Sequence, residues 1–310
     1  MNTPTQAVIL CGGLGTRLQP YVNTIPKPMI DCNGKPFLWY LLQQLYEQGI
    51  DQFILLTGYL SEKIEDYFND GSAWGWKINY SKGPIEWDTG KRIWEAKAHL
   101  DDCFLLLYSD NFAPLQLNKI FEQHEINQKA LTFMVALKQP GNIILDSSGI
   151  VIKYDNNRSN HDMNYVEIGY MVVEKDITLS FYETPECSFS TILQKMAVQH
   201  QISGWVQNNH YHSISDPERW KKTQTYLTPK KILLIDRDGV INQKAPQGEY
   251  TTNWEEFEWI PDTRNAMKLL SENGFQFIVI SNQAGIARGC LLYTSPSPRD
   301  RTRSRMPSSA

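Results

Sequence analysis

Residues 10–29 read LCGGLGTRLQPYVNTIPKPM, and this stretch decides the fold. It follows an apolar run at residues 7–10 that reads as a buried strand passing into a glycine loop. Gly12, Gly13 and Gly15 let backbone N–H groups approach phosphate oxygens closely. Thr16 adds a hydroxyl, and Arg17 a planar fork of donors suited to phosphate. Lys27, held between Pro26 and Pro28, is a second cation on a stiff segment. Close backbone donors with fixed positive charge are what a triphosphate needs. Two other phosphate motifs fail. The dinucleotide fingerprint has no glycine where Leu18 stands, and the P-loop requires a Gly-Lys pair that does not follow.

Outward from this loop, strands and helices alternate. Residues 37–48 carry Leu38, Leu41, Leu42 and Leu45 at helical spacing, and residues 53–57 read as a second buried strand. Ser61 is placed to cap a helix that runs through Ile64 and Tyr67 to Phe68, with Glu62 and Glu65 early in it. Residues 104–108 form another apolar run, followed at once by Ser109 and Asp110, and residues 115–127 read as helix. This rhythm predicts a mainly parallel sheet with helices on both faces. From residue 131 the pattern turns strand-rich, at 131–137, 150–154 and 166–173. Helices are expected over residues 190–199 and after Asp216-Pro217, with Asp216 as cap and Pro217 at the first helical position. The string Thr228-Pro229-Lys230-Lys231 breaks the pattern, and a fresh strand follows at residues 232–235, so a domain boundary is placed at residue 228.

Length agrees with two domains, since 310 residues exceed one typical domain. With 41% hydrophobic and 21% charged residues, the composition is that of a soluble globular protein. A net charge of −4 argues against a nucleic-acid binder, though it leaves room for a local basic pocket. The five cysteines are scattered, without a C-x-x-C pair, and read as reduced thiols of a cytoplasmic protein. No apolar run reaches the roughly 18 residues that span a bilayer. Oligomer formation is left open.

The whole string G-G-x-G-T-R-L-x-P with the later P-K-P-M resembles the sugar-phosphate nucleotidylyltransferase family over about residues 5–225. The resemblance implies a Rossmann-like, GT-A-type α/β fold with a mixed sheet and helices on both faces. Its substrates would be a nucleoside triphosphate and a sugar 1-phosphate, with Arg17 and Lys27 as catalytic cations on their phosphates. Gly12, Gly13, Gly15 and Thr16 would bind the nucleotide. Tyr108-Ser109-Asp110 is similar to the family's strand-end Gly-Asp, which makes Asp110 the expected Mg²⁺ ligand. Glu167-Ile168-Gly169-Tyr170 looks like the family's E-x-G-x-Y/F sugar-binding segment, through Glu167 and Gly169. Thr89 and Gly90 resemble part of its P-x-G-T-x-G nucleotide loop.

Two departures stand out. The loop Pro84-Ile85-Glu86-Trp87-Asp88-Thr89-Gly90 carries bulky and acidic insertions. Ser213 stands where the family commonly has an aspartate that is a second metal ligand. Metal would then rest on Asp110 alone with waters, or on Asp88 or Asp216 as a substitute. The expected reaction is an in-line displacement: a sugar 1-phosphate oxygen attacks the α-phosphorus, and pyrophosphate leaves. The departures keep a second reading open, a non-catalytic nucleotide-sugar-binding or scaffold module.

A second constellation lies at residues 232–242, ILLIDRDGVIN, where an apolar strand delivers Asp236 and Asp238 into a glycine turn. One carboxylate can act as nucleophile toward phosphorus and the other as general acid, with Mg²⁺ between them. Residues 275–280 form a further strand that ends in Ser281-Asn282-Gln283-Ala284-Gly285. Together these resemble haloacid-dehalogenase-type phosphatases of the heptose bisphosphate and histidinol phosphate branch, over residues 231–289. The resemblance implies Asp236 as nucleophile, Asp238 as acid/base, both as metal ligands, and Ser281 with Asn282 on the phosphate. The family's later lysine, downstream acidic ligand and Cys/His zinc loop have no counterpart, so this partial α/β domain (229–289) is expected to be an inactive phosphatase. Residues 290–310, CLLYTSPSPRDRTRSRMPSSA, resemble the translation of a sequencing adapter read through at the end of a truncated gene, and are expected to carry no evolved function. The pairing of domains suggests a bifunctional enzyme of nucleotide-activated heptose synthesis, with heptose 1-phosphate as the sugar substrate and another hexose 1-phosphate as the alternative.

Overall fold

The computed structural model describes residues 3–156, 162–208, 210–246, 248–249, 251 and 253–281. The expected phosphate contact at Asn282 and the adapter-like stretch 290–310 lie outside the described residues. The chain divides into two compact units, Met1–Thr228 and Pro229–Ala310.

The first unit is built on a nine-stranded mixed sheet. In chain order its strands are β1 (Gln6–Leu10), β2 (Gln52–Thr57), β3 (Lys77–Lys82), β4 (Cys103–Tyr108), β5 (Leu131–Leu137), β6 (Ile143–Leu145), β7 (Val151–Tyr154), β8 (Tyr165–Glu174) and β9 (Ile202–Val206). Its helices are α1 (Phe37–Glu47), α2 (Ser61–Phe68), α3 (Thr89–Ala96), α4 (Leu117–Asn127), α5 (Lys175–Leu179), α6 (Phe189–Val198) and α7 (Pro217–Leu227). β1 is central and pairs in parallel with β2 on one side and β4 on the other, with β3 parallel outside β2. Beyond β4 the direction reverses, because β8 runs antiparallel to both β4 and β5. The sheet is therefore mixed and not mainly parallel, although β9 pairs in parallel with β5 beyond the reversal.

Burial on both faces explains why β1, β2 and β4 are continuous apolar runs rather than alternating ones. Ala7 and Ile9 pack with Leu38, Leu41, Ile64 and Ile120, from α1, α2 and α4. Val8 and Leu10 pack on the other face with Ile93, Phe189, Ile192 and Leu193, from α3 and α6. Each such aliphatic side chain contributes about 1.5–3 kcal/mol on burial.

Ser61 is the first residue of α2 and not its cap. Leu60 precedes it in the left-handed region at φ 48°, and Ser61 N–H bonds the Gly58 carbonyl at 3.2 Å, so the turn has already closed before Ser61. Asp216 does cap α7, its Oδ1 accepting from Arg219 N at 2.9 Å with Pro217 next.

In the second unit, β10 (Lys231–Asp236) pairs in parallel with β11 (Phe275–Ile280), which α8 (Thr263–Glu272) precedes. Its apolar side chains lie open: Ile232 is 57% exposed, Leu234 61% and Ile278 48%. Among the described residues no helix is long and apolar enough to cross a membrane.

Candidate active site

The carboxyl ends of β1 and β4 open into a cavity of about 560 Å³. Its lining carries five cationic side chains, Arg17, Lys27, Arg92, Lys138 and Arg219, against three carboxylates, Asp88, Asp110 and Glu167. A chain of net negative charge thus concentrates positive charge where an anionic ligand would sit.

The glycine loop leaves β1 with Cys11 N–H still bonded to the Leu56 carbonyl of β2 at 2.9 Å. Gly15 sits at φ 65°, a left-handed conformation that favours glycine, and opens the single 3-10 turn Thr16–Leu18. Leu18 is fully buried and anchors that turn, while Thr16 and Arg17 stay exposed. Arg17 makes no side-chain hydrogen bond to the described residues, so its donors are unspent. Gly12, Gly13, Gly15, Thr16 and Arg17 all line the cavity. So does Cys11, whose thiol burial pushes up to about 12, which leaves no thiolate nucleophile at neutral pH.

Lys27 opens the turn Lys27–Met29 between the buried Pro26 and Pro28. Its Nζ lies 2.7 Å from Oδ2 of Asp110, so the second cation and the expected metal ligand meet across 83 residues of sequence. Ser109 fixes the other side of this pair, its Oγ donating to the Leu10 carbonyl at 2.6 Å and tying the end of β4 to the end of β1.

A short antiparallel pair, Asn111–Phe112 with His212–Ser213, brings the following segment against Asp110, and Ile214 N bonds the Asp110 carbonyl at 3.0 Å. Ser213 is buried, with its Oγ 3.1 Å from Ser215 Oγ. Of the two carboxylates that were candidates to replace the missing aspartate, Asp216 is committed to capping α7 and does not line the cavity. Asp88 does line it, while its Oδ1 caps α3 by accepting from Thr89 N at 2.7 Å.

Glu167 lines the cavity from β8, and its Oε2 accepts from Gly169 N at 3.1 Å. Gly169 lies where the β8–β5 register shifts, with its α-carbon against the Tyr108 ring. Thr89 and Gly90 are not in a loop but start α3. Thr89 reaches the cavity, yet its Oγ1 accepts from Phe189 N at 2.9 Å. Gly90 is absent from the lining: a Cβ there would lie 2.5 Å from the Cys187 carbonyl oxygen, so close packing on that segment accounts for it.

Sequence reasoning missed three of the lining cations, Lys138, Arg219 and the buried Arg92. Arg92 lines the cavity from α3, and helical spacing marks it, because it is four residues from the buried Ala96 and next to the buried Ile93.

In the second unit, Asp236 ends β10 and accepts from Arg237 N at 2.8 Å. Asp238 binds the Arg237 guanidinium through both oxygens, at 3.0 and 2.9 Å, and accepts from Asn242 Nδ2 at 3.1 Å. Ser281 Oγ lies 3.4 Å from Asp238 Oδ2, so this pair does meet at one strand end.

A glycine loop, a lysine and a strand-end aspartate thus meet around one cation-rich cavity at the carboxyl ends of an α/β sheet. Residues 6–209 match the family model described as nucleotidyl transferase, and the chain belongs to that family. A D-glycero-alpha-D-manno-heptose 1-phosphate guanylyltransferase of Aneurinibacillus thermoaerophilus is 31% identical over 228 residues, covering 72% of this chain and 98% of that protein. The protein of the same name from Campylobacter jejuni is 32% identical over 213 residues, covering 69% of this chain and 96% of its own length. The crystal structure of HddC from Yersinia pseudotuberculosis shares the fold with a TM-score of 0.61 at 23% identity, covering 72% of this chain and 99% of that one.

Proposed function

We propose that this chain transfers a guanylyl group from a nucleoside triphosphate to D-glycero-D-manno-heptose 1-phosphate and releases pyrophosphate. The observation that carries the reading is the meeting of the Gly12–Gly13–Gly15 loop, Arg17, Lys27 and Asp110 around one cation-rich cavity. Two heptose 1-phosphate guanylyltransferases among the relatives support guanylyl and heptose, and the pairing with a phosphatase-like unit points to the same sugar. A sugar 1-phosphate oxygen forms the new bond to the α-phosphorus, and the bond to the β-phosphate side breaks. Arg17, with its donors unspent, stabilises the charge that grows on the phosphates. Lys27 is positioned to exchange its contact with Asp110 for a phosphate oxygen. Glu167 is placed for sugar hydroxyls.

Mg²⁺ fits this donor set, because such ions are held by one or two carboxylates together with substrate phosphates, and Asp110 supplies one carboxylate beside the loop. When bound, the ion would neutralise phosphate charge. The residues of the second unit resemble a haloacid-dehalogenase-type phosphatase, and by that resemblance Asp236 and Asp238 would be its carboxylates and metal ligands, with Ser281 and Asn282 on phosphate.

The buried Ser213–Ser215 hydroxyl pair, where the resembled family has a carboxylate, favours the alternative of a non-catalytic nucleotide-sugar module. The deciding experiment is pyrophosphate release by the full chain with Mg²⁺, crossing four nucleoside triphosphates with a panel of sugar 1-phosphates. Release with GTP and the heptose is expected. Nucleotide binding without release from any pair would overturn catalysis, and Ser213→Asp would then be the variant expected to gain it.

A further inference from the structure

Arg92 is the one lysine or arginine among the described residues that is buried, at 5% exposure. Its guanidinium joins three segments, two of which, the glycine loop and the loop after β3, wall the cavity. Nη1 donates to the Thr57 carbonyl at the end of β2, at 2.6 Å. Nη2 donates to the Pro84 carbonyl in the loop after β3 at 2.7 Å, and to the Gly12 carbonyl in the glycine loop at 3.4 Å. No carboxylate lies within ion-pair distance of it among the described residues; Asp88 acts on it only from farther off, and its direct partners are carbonyl dipoles. Burial draws its pKa below the usual guanidinium range, yet an arginine stays protonated in a protein. An unneutralised cation out of water is costly unless something anionic compensates it. Here it lines the cavity that the glycine loop borders.

The loop is shaped around this side chain. A Cβ on Gly12 would lie 2.3 Å from Arg92 Cζ, and one on Gly58 would lie 2.6 Å from Nη2. Gly12, read from sequence as a glycine that admits phosphate, is thus also the glycine that admits the guanidinium. A Cβ on Gly13, by contrast, would meet nothing within 4 Å.

We propose that Arg92 is a positioning residue of the nucleotide site, fixing the Gly12–Arg17 loop to the ends of β2 and β3 and leaving its charge to be compensated by the triphosphate. The kinetic part of this proposal rests on the nucleotidyl-transfer reading.

The test uses the full chain and two variants, Arg92→Lys and Arg92→Gln. Lysine keeps the charge, but one ammonium cannot span three carbonyls set around a planar fork. In both variants kcat/KM for the triphosphate should fall by about 10²-fold, the scale on which a misplaced binding loop acts. The KM for the sugar 1-phosphate should move far less. Hydrogen exchange should quicken at the amides of residues 12–17 while those of α6 keep their protection. Exchange in the loop equal to the parent's would overturn the proposal, as would an Arg92→Lys enzyme with unchanged kcat/KM for the triphosphate. A double-mutant cycle adds an independent arm. Gly12→Ala should be severe in the parent and mild with Arg92→Ala, because the clash has gone. Equal severity in both backgrounds would mean that Gly12 serves the ligand alone. If no substrate pair releases pyrophosphate with the parent chain, the kinetic arm falls with the functional reading, and loop exchange still decides the role of Arg92.

Discussion

Two apolar strands in this chain end in charged turns: β1 runs into the Gly12–Arg17 loop, and β10 runs into Asp236-Arg237-Asp238. β1 has a strand on each side and helices on both faces, and all five of its residues are buried. Among the described residues β10 has one strand partner, and Leu234 at its middle is 61% exposed. A site holds its geometry when rigid, packed elements stand behind it. A pair of strands without such packing is marginal in water. Similar sequence logic therefore yields a walled cavity in the first unit, while in the second it yields a cluster of paired carboxylates on an open sheet.

The largest contrast should appear in catalysis. Arg17→Ala or Asp110→Asn should lower pyrophosphate release by about 10²–10³-fold, the usual loss of one preorganised electrostatic contact at a transition state. Asp236→Asn should leave the same rate unchanged. A matched loss from Asp236→Asn would break the comparison, because the two carboxylate turns would then serve one reaction.

Stability should separate the regions next. Ile9→Ala removes a side chain with 0% exposure and should cost about 2–5 kcal/mol. Leu234→Ala should change stability by less than about 0.5 kcal/mol, as at other open positions. Thermal melts of the two variants read this directly. Equal losses would show that the β10 face is covered in solution.

The same contrast explains what was legible in the sequence. β1, β2 and β4 announce themselves because burial on both faces makes them unbroken apolar runs. Asp216-Pro217 announces α7 because capping is local chemistry. Strand direction is not local, and apolar runs alone did not reveal that β8 reverses against β4. β3 was missed because its burial alternates as an edge strand. Of the site, the glycine loop, Lys27 and Asp110 could be named, but not the ion pair between the last two. Arg92 escaped because its partners Gly12 and Thr57 are distant in sequence, and they and the nearer Pro84 offer only backbone carbonyls, which no residue type advertises.

The smallest contrast is in pH response. His212 stacks on Tyr226 with ring centroids 3.8 Å apart, and burial, with His210 nearby, holds its imidazole below the ordinary 6.5. As pH falls through 6.5, the unfolded chain takes up a proton here before the folded chain does. Stability from this site is therefore fully present above that pH and is lost below it. In the second unit, burial raises the Asp238 carboxyl, but its bonds to Arg237 and Asn242 outweigh this and hold it below the ordinary 3.8. Its stability is likewise lost on acidification, in a window below 3.8. Between pH 7.5 and 5.5 the first unit should thus respond while Asp238 stays silent. His212→Phe keeps a ring against Tyr226 and removes the titration, so its melting temperature should fall less than the parent's over that range. Asp238→Asn should run parallel to the parent there. Parallel curves for His212→Phe as well would mean that the imidazole titrates alike in both states, and that its seat beside the cavity costs the protonated form nothing.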